Sequence, residues 1–262
     1  MEMLNLSKEE SMNLLDLRKQ TINTLCLEKP ALRATQSRVA LVLDYSGSMS
    51  DLYDRGVVQS IVERALPLAM QFDDNGEMEV WIFSNDFHRL PSITLDNFYG
   101  YIKDNVNGKY RMGGTSYAPV MEDIGNKYIT EDPASLPNYV LFITDGDNSD
   151  KQRTDKVISE LSQYPIFFQF IGIGNSSFNY LEKLDEMEGR YVDNANFFSI
   201  NNIQSIDDKE LYDKLLTEYP SWLENEKVKE IIKSASSSQT IKLMHETKNE
   251  EHKKGFFSKL FG

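Results

Sequence analysis

One cysteine, Cys26, stands in 262 residues, which excludes an internal disulfide framework and any zinc site built on several thiolates. Histidine is almost as scarce. His88, His245 and His252 are the whole supply, so a catalytic triad has little to be assembled from. No apolar run approaches the ~18 residues that a membrane-spanning helix needs. The opening Met1-Glu2-Met3-Leu4-Asn5-Leu6-Ser7-Lys8-Glu9-Glu10 lacks the basic-then-apolar layout of a secretory signal. Together these absences predict a cytoplasmic protein. Positive charge is short too: 28 Lys and Arg against 41 Asp and Glu leave a net charge of −13. A chain so acidic repels phosphate backbones, which argues against nucleic acid as a partner, and it tolerates cations.

Apolar material is plentiful. Fourteen Phe, thirteen Tyr and two Trp supply enough large side chains for a sizeable core. Val39-Ala40-Leu41-Val42-Leu43 is an unbroken apolar run halting at Asp44, a pattern that suits a strand buried on both faces. Segments 79–83, 139–143 and 166–171 repeat it, and 191–192 with 196–200 could supply another strand. Helical patterns lie between them at 57–72, 95–106, 117–129, 154–164 and 178–187. This alternation predicts an α/β fold: a doubly wound, mostly parallel sheet flanked by helices. In front, residues 1–35 hold an amphipathic helix in which Ser7 and Glu10 form a capping box, Leu14, Leu15, Leu17, Ile22 and Leu25 follow helical spacing, and Pro30 ends the pattern. Cys26 reads as a small buried hydrophobe of that helix. The expected division is an N-terminal helix (1–35), the α/β domain (36–205), two C-terminal helices (206–233), and a polar linker with a tail (234–262).

Three short segments carry chemistry, each at the carboxyl end of a strand or in an adjoining loop, where open α/β sheets collect their functional groups. Asp44, Ser46 and Ser48 are spaced by two, so a curving loop can aim three oxygens at one point, and Gly47 lets it bend. A carboxylate with two hydroxyls is a hard donor set, suited to Mg²⁺, Mn²⁺ or Ca²⁺. Gly113-Gly114-Thr115-Ser116 precedes a helix and adds a hydroxyl, with a turn and helix N-cap as the plainer reading. Thr144-Asp145-Gly146 closes the third buried strand, and Asp145 stands beside Asp44 if the two strands are neighbours.

Asp44-x-Ser46-x-Ser48, then Thr115, then Asp145-Gly146 resembles the metal-ion-dependent adhesion site of the von Willebrand factor type A (VWA) family, in chain order, over about residues 36–205. The wording around Val39–Met49 and Gly113–Val120 is similar to the TerF-like branch of bacterial tellurium-resistance proteins. The TerD-type calcium-binding β domain that some members carry has no counterpart here. The resemblance implies that Ser46 and Ser48 bind one divalent cation directly, Mg²⁺ first among the candidates with Mn²⁺ or Ca²⁺ as alternatives. It implies that Thr115 binds directly or through water, while Asp44 and Asp145 hold waters and orient the hydroxyls. The implied function is non-enzymatic capture of an Asp or Glu carboxylate from a protein partner, in a stress response of the tellurium-resistance type.

Competing readings are a phosphoester hydrolase with Asp44 as nucleophile and a scaffold with a purely structural metal. Against the hydrolase, the position two residues after Asp44, where a general acid belongs, is Ser46, which has no suitable pKa. Gly172-Ile173-Gly174 imitates a dinucleotide fingerprint, but Ser177 replaces its third glycine. Tyr45 and Met49 flank the ligand positions as candidate rim contacts, with packing beneath the loop the alternative for Tyr45. Asp51, Asp54, Asp147 and Asp150 crowd the same loops and read first as solvation. His88 is expected in an exposed strand or hairpin edge. In the tail, Phe256, Phe257, Leu260 and Phe261 share one helical face. They could dock in a partner's groove, touch a membrane surface peripherally, or pack on the chain's own domain.

Overall fold

The structure, a computed structural model, describes residues 6–235 apart from 34, 74, 134 and 147. Six strands form one sheet: β1 (Arg38–Asp44), β2 (Met78–Phe83), β3 (Phe87–Ile93), β4 (Asn138–Thr144), β5 (Ile166–Ile173) and β6 (Ala195–Ile200). Their order across the sheet is β3-β2-β1-β4-β5-β6. All neighbours run parallel except β3, which is antiparallel to β2. The chain works outward from β1 in one direction, then crosses back to begin at β4, so the order reverses between β1 and β4. The fold is the doubly wound α/β sheet expected.

Among the described residues nine helices join and cover the strands: α1 (Lys8–Glu28), α2 (Ser50–Asp54), α3 (Val57–Phe72), α4 (Tyr101–Asn105), α5 (Ala118–Asn126), α6 (Lys151–Leu161), α7 (Asn179–Asp185), α8 (Asp208–Leu215) and α9 (Tyr219–Glu224). A π-turn, Lys127–Glu131, extends α5, and a further helical stretch spans 226–235. No helix among the described residues is long and apolar enough to cross a membrane.

The unbroken apolar strands are explained by two cores. In β1, Val39, Leu41 and Leu43 point into one and Ala40 and Val42 into the other. In β4, Tyr139, Leu141 and Ile143 alternate in the same way with Val140 and Phe142. Each buried aliphatic side chain contributes roughly 1.5–3 kcal/mol relative to exposure, which makes slippage of these strands by one residue untenable. Gln169 interrupts β5 but is satisfied by Asn196, whose amide donates to it at 3.1 Å.

One core lies under α5, α6 and α7. The other is closed by α1, α3, α8 and α9 together. The segments on either side of the sheet share its core: Leu15, Ile22 and Leu25 of α1 and Leu211, Tyr212, Tyr219 and Trp222 of the C-terminal helices cluster with Val39, Leu41 and Leu43 of β1. The capping box of α1 is present, Glu10 N–H donating to Ser7 Oγ at 3.2 Å and Ser7 N–H to Glu10 Oε2 at 2.8 Å. Its buried face differs from the expected one. Leu17 is 57% exposed, and the next position, Arg18, turns inward to meet Asp208 at 3.0 Å and the Glu63 carbonyl at 3.2 Å. Cys26 is buried, as expected.

The remaining differences are local. Segment 95–106 is helical only over Tyr101–Asn105, because Gly100 enters at φ 72°. Segment 191–192 is not a strand. Phe87–Ile93 is a full edge strand that tolerates Pro91 because its outer side needs no ladder donor. His88 on it is exposed, its ring 4.5 Å from that of Tyr110.

Two outcomes follow for stability. Tyr219 is fully buried, its hydroxyl 2.7 Å from Ser37 Oγ and its ring 4.5 Å from that of Tyr139. Tyr219→Ala is expected to cost about 3–5 kcal/mol in a single cooperative denaturant transition; a separate early transition would make the C-terminal helices an independent unit. Asp185 is pushed up to about 7 by burial first, then by Glu218 and Asp193, against a hydrogen bond from the Phe197 backbone and the charge of Arg190. Its proton is held more tightly in the folded chain than in the unfolded one. That contribution is complete below the ordinary carboxylate pKa and lost as pH rises through 7. Melting from pH 5 to pH 8 should therefore destabilise the wild type relative to Asp185→Asn.

Candidate metal centre

The switch point of the sheet brings two of the three motifs together. The β1–β4 register pairs Leu43 with Ile143, so Asp44 ends its strand beside Thr144, and Asp145 follows at once. Thr144 Oγ1 donates to Asp44 Oδ2 at 2.7 Å, and the Ser46 backbone N–H donates to Asp44 Oδ1 at 2.8 Å. Beyond Asp44 the chain stays extended through Ser46, then tightens into a 3₁₀ turn, Gly47–Met49. Ser46 Oγ lies 3.1 Å from Ser48 Oγ, and Ser48 Oγ donates to Asp145 Oδ1 at 2.9 Å. Oxygens from two strand ends thus form one continuous chain.

The glycine pair delivers the third segment. Ser46 and Gly113 form an isolated parallel bridge, with Gly47 N–H donating to the Gly113 carbonyl at 2.9 Å. Any Cβ at Gly113 would sit 3.0 Å from Ser84 Oγ, and one at Gly114 only 2.5 Å from Asn85 Oδ1. Asn85 uses that oxygen to accept the Gly114 N–H at 3.0 Å. A side chain at either position would have to displace Ser84 or Asn85, and at Gly114 it would disturb the Asn85 oxygen that holds the segment. Thr115 follows two residues beyond the bridge, half-buried, its carbonyl accepting from Ser149 N–H and Oγ at 2.9 and 2.8 Å.

Asp44 is fully buried and Ser46 nearly so, whereas Ser48 is exposed and Thr115 and Asp145 are half-buried. Burial pushes the Asp44 carboxyl up to about 6, against the hydrogen bonds from Ser46 and Thr144, and Asp145 adds to the rise. Burial also raises Asp145, against its bond from Ser48. The hydrogen-bond partners of Asp44 are all neutral. A buried carboxylate without a basic partner beside a second carboxylate is an arrangement that a cation relieves. Among the described residues no three His, Cys, Asp or Glu side chains cluster as a metal site. The Asp44 and Asp145 carboxylates with the Ser46 and Ser48 hydroxyls, and Thr115 on the adjoining segment, are hard donors of the kind that fits a divalent ion.

Several expected contributors have other positions. Met49 is fully buried and Tyr45 nearly so, its ring edge-on to Tyr53 at 5.0 Å between centroids. Neither is a rim contact. The 3₁₀ turn presents Ser48 to solvent and turns Met49 inward. Asp150 is not mere solvation: its two oxygens accept the Tyr117 and Ala118 N–H groups at 3.0 Å each, capping α5 from 32 residues away. Neither Thr115 nor Ser116 serves as that cap. Asp51 pairs with Arg55 at 3.1 Å and Asp54 is exposed. Asp147, Phe256, Phe257, Leu260 and Phe261 lie outside the described residues. Thr144, Asn85 and Asp150 are supports that motif spacing did not single out. Of these, only Thr144 had a local signal, its place beside Asp145.

The profile of the vWA-TerF-like family, described as the vWA domain found in the TerF C terminus, matches residues 36–232. The chain belongs to this family. The TerF-like domain is also 42% identical over 250 residues to protein YcbR of Bacillus subtilis (strain 168), covering 94% of this chain and 98% of YcbR. Among solved structures it resembles the SpRpn10 VWA domain, at 10% identity and a TM-score of 0.52, over 69% of this chain and 95% of that one. It also resembles the manganese-loaded TRAP protein of Plasmodium vivax, at 17% identity and a TM-score of 0.50, over 70% and 72%. Longer solved chains, of which it spans 42–48%, match at TM-scores of 0.42–0.48. The match to residue 232 agrees with a core that runs past residue 205.

Replacing Thr144 isolates the support from the ligands. Thr144→Val keeps the side-chain shape but leaves buried Asp44 Oδ2 without its donor. Denaturant melts in chelator are expected to lose about 1–3 kcal/mol, and Thr144→Ser should recover most of it.

Proposed function

We infer that the TerF-like domain is a binding module whose Ser46, Ser48 and Thr115 hydroxyls hold one divalent cation and whose partner supplies an acidic side chain. The supporting observation is the continuous oxygen chain, Ser46 Oγ to Ser48 Oγ at 3.1 Å and Ser48 Oγ to Asp145 Oδ1 at 2.9 Å, over a buried Asp44 with neutral partners. Direct ligation falls to Ser46 and Ser48, and Thr115 ligates directly or through water. Asp44 and Asp145 orient the hydroxyls and hold waters. A bound cation supplies positive charge and a coordination position for an incoming carboxylate. Because most direct donors are uncharged, little of that charge is neutralised by the protein itself. Mg²⁺ is the first candidate, with Mn²⁺ or Ca²⁺ the alternatives. Family membership and the manganese-loaded Plasmodium neighbour favour a divalent ion.

Binding rather than hydrolysis is favoured by the state of Asp44. A nucleophilic carboxylate needs an oxygen that substrate can reach. Here both oxygens accept hydrogen bonds and the residue has no exposed surface. The accessible positions are exposed Ser48 and half-buried Thr115 and Asp145, which we read as a receptor surface for an acidic group on a protein. The cellular setting proposed is a cytoplasmic stress response of the tellurium-resistance type, on the strength of TerF-like membership alone.

Calorimetric titration of metal-stripped protein with Mg²⁺, Mn²⁺ and Ca²⁺ tests the reading. At least one ion should bind saturably with 1:1 stoichiometry, and Ser46→Ala/Ser48→Ala should weaken it at least tenfold while remaining folded. Absence of binding by the folded wild type would overturn the metal-dependent function. Pull-downs repeated with excess chelator then separate a bridging from a structural ion, since only a bridging ion makes partner capture depend on free metal.

A further inference from the structure

The pole opposite the metal centre carries a second surface. At the amino ends of β4 and β5 a groove of about 840 Å³ opens, with Ile129, Tyr164, Pro165, Tyr191, Ile231 and Ala235 among its walls. Its volume falls within the range of ligand pockets, roughly 300–1,000 Å³. Tyr164 and Tyr191 are 39% and 46% exposed, unusual for rings of their size in this chain. The groove is braced rather than slack. Lys227 lies 4.9 Å from the centroid of the Tyr191 ring and donates to the Tyr191 carbonyl at 3.2 Å. Asn138, on its floor, is engaged by Arg38 Nε at 2.9 Å and by the Pro165 carbonyl at 3.0 Å. What the groove offers is mainly aromatic and aliphatic surface.

Two observations identify the occupant. The last described residue of the chain, Ala235, is itself a wall of the groove. Twenty residues, 236–255, then separate it from Phe256. At up to about 3.3–3.6 Å per residue that length is ample for Phe256 and the residues after it to reach the groove. The second observation is composition. Residues 240–262 carry five lysines and three glutamates, +2, so the preceding 239 residues carry −15 of the −13 total. Phe257, Leu260 and Phe261 follow i, i+3, i+4 spacing, which forms one apolar stripe in a helix. Glu230, on the groove wall, is of the sign that the tail lysines seek.

We propose that the groove is the receptor for this chain's own segment 255–262, bound in cis through Phe257, Leu260 and Phe261 against Tyr164 and Tyr191. Docking there covers an apolar tail that would otherwise offer itself to membranes or partners, and it sets a threshold that any competing ligand must exceed. The two poles are separate, so this assignment stands or falls independently of the metal.

Photo-crosslinking of the full chain tests it. With p-benzoylphenylalanine in place of Phe257, or of Phe261 as an independent position, irradiation at low micromolar protein should give intramolecular links to 128–133, 164–166, 191 or 230–235. Mixing light and heavy isotope-labelled chains separates links within one chain from links between two. Tyr164→Asp/Tyr191→Asp, both at exposed positions, should lower the yield at least fivefold. In the chain without crosslinker, hydrogen exchange across 161–166 should accelerate at least fivefold on Phe257→Ser/Leu260→Ser/Phe261→Ser. Links between chains would assign the groove to a second copy. Transfer of the links to lipid on adding anionic vesicles would assign the tail to membranes. Links elsewhere, no links from either position, or a yield indifferent to the groove variant would equally overturn docking in cis.

Discussion

Parallel pairing of β1 with β4 is the constraint on which the rest of the molecule depends. Those strands are adjacent in the sheet but separated in the chain by two strands and four helices, and their pairing creates the point where strand order reverses. Carboxyl ends of parallel strands at such a reversal leave a crevice that no connecting loop fills. Asp44 and Thr144 meet in it through a 2.7 Å hydrogen bond, and the exposed oxygens are built outward from that contact. Burial of both strands on both faces holds the register, so the relative height of Asp44 and Asp145 is set by the packing of Val, Leu, Ile and aromatic side chains far from any ligand.

The buried Asp44 carboxylate is the costly part of this arrangement. Hydrogen bonds from Ser46 and Thr144 favour its charged form, while burial and neighbouring Asp145 oppose it. A cation beside it, as proposed above, would offset that cost. Tyr53, whose hydroxyl donates to the Asp44 carbonyl at 3.0 Å, anchors the same residue through its backbone. Tyr117 braces the other strand end, donating to Thr144 Oγ1 at 3.1 Å and to the Gly146 carbonyl at 2.6 Å. Buried Ser46 and exposed Ser48 thus stand on a rigid base, which would limit the ordering cost of the capture proposed above.

The helices flanking the VWA sheet have a structural part in this. Arg18 of α1 and Arg64 of α3 converge on Asp208 of α8 at 3.0 and 3.4 Å. This ion cluster joins the start, middle and end of the described chain over the core that contains Leu43 and Met49. The C-terminal helices also form a wall of the opposite groove, so the segments outside the sheet determine what the second pole can bind.

Periodicity by itself determined five of the six strands and the capped first helix, and motif spacing singled out Asp44, Ser46, Ser48, Thr115 and Asp145 as candidates, because continuous apolar runs and alternate-residue oxygens are local patterns. The burial of Arg18 instead of Leu17, the inward packing of Tyr45 and Met49, and the shared core of α1, α8 and α9 were decided only by the tertiary structure. So were the Asn85 and Asp150 hydrogen bonds that hold the Thr115 segment. Each of these depends on a partner tens to nearly two hundred residues away, and local sequence carries no record of which distant group will satisfy a buried N–H or charge. Gly113 and Gly114 lie between the two cases: the sequence marked a special backbone, and only the nearness of Ser84 and Asn85 supplied the reason.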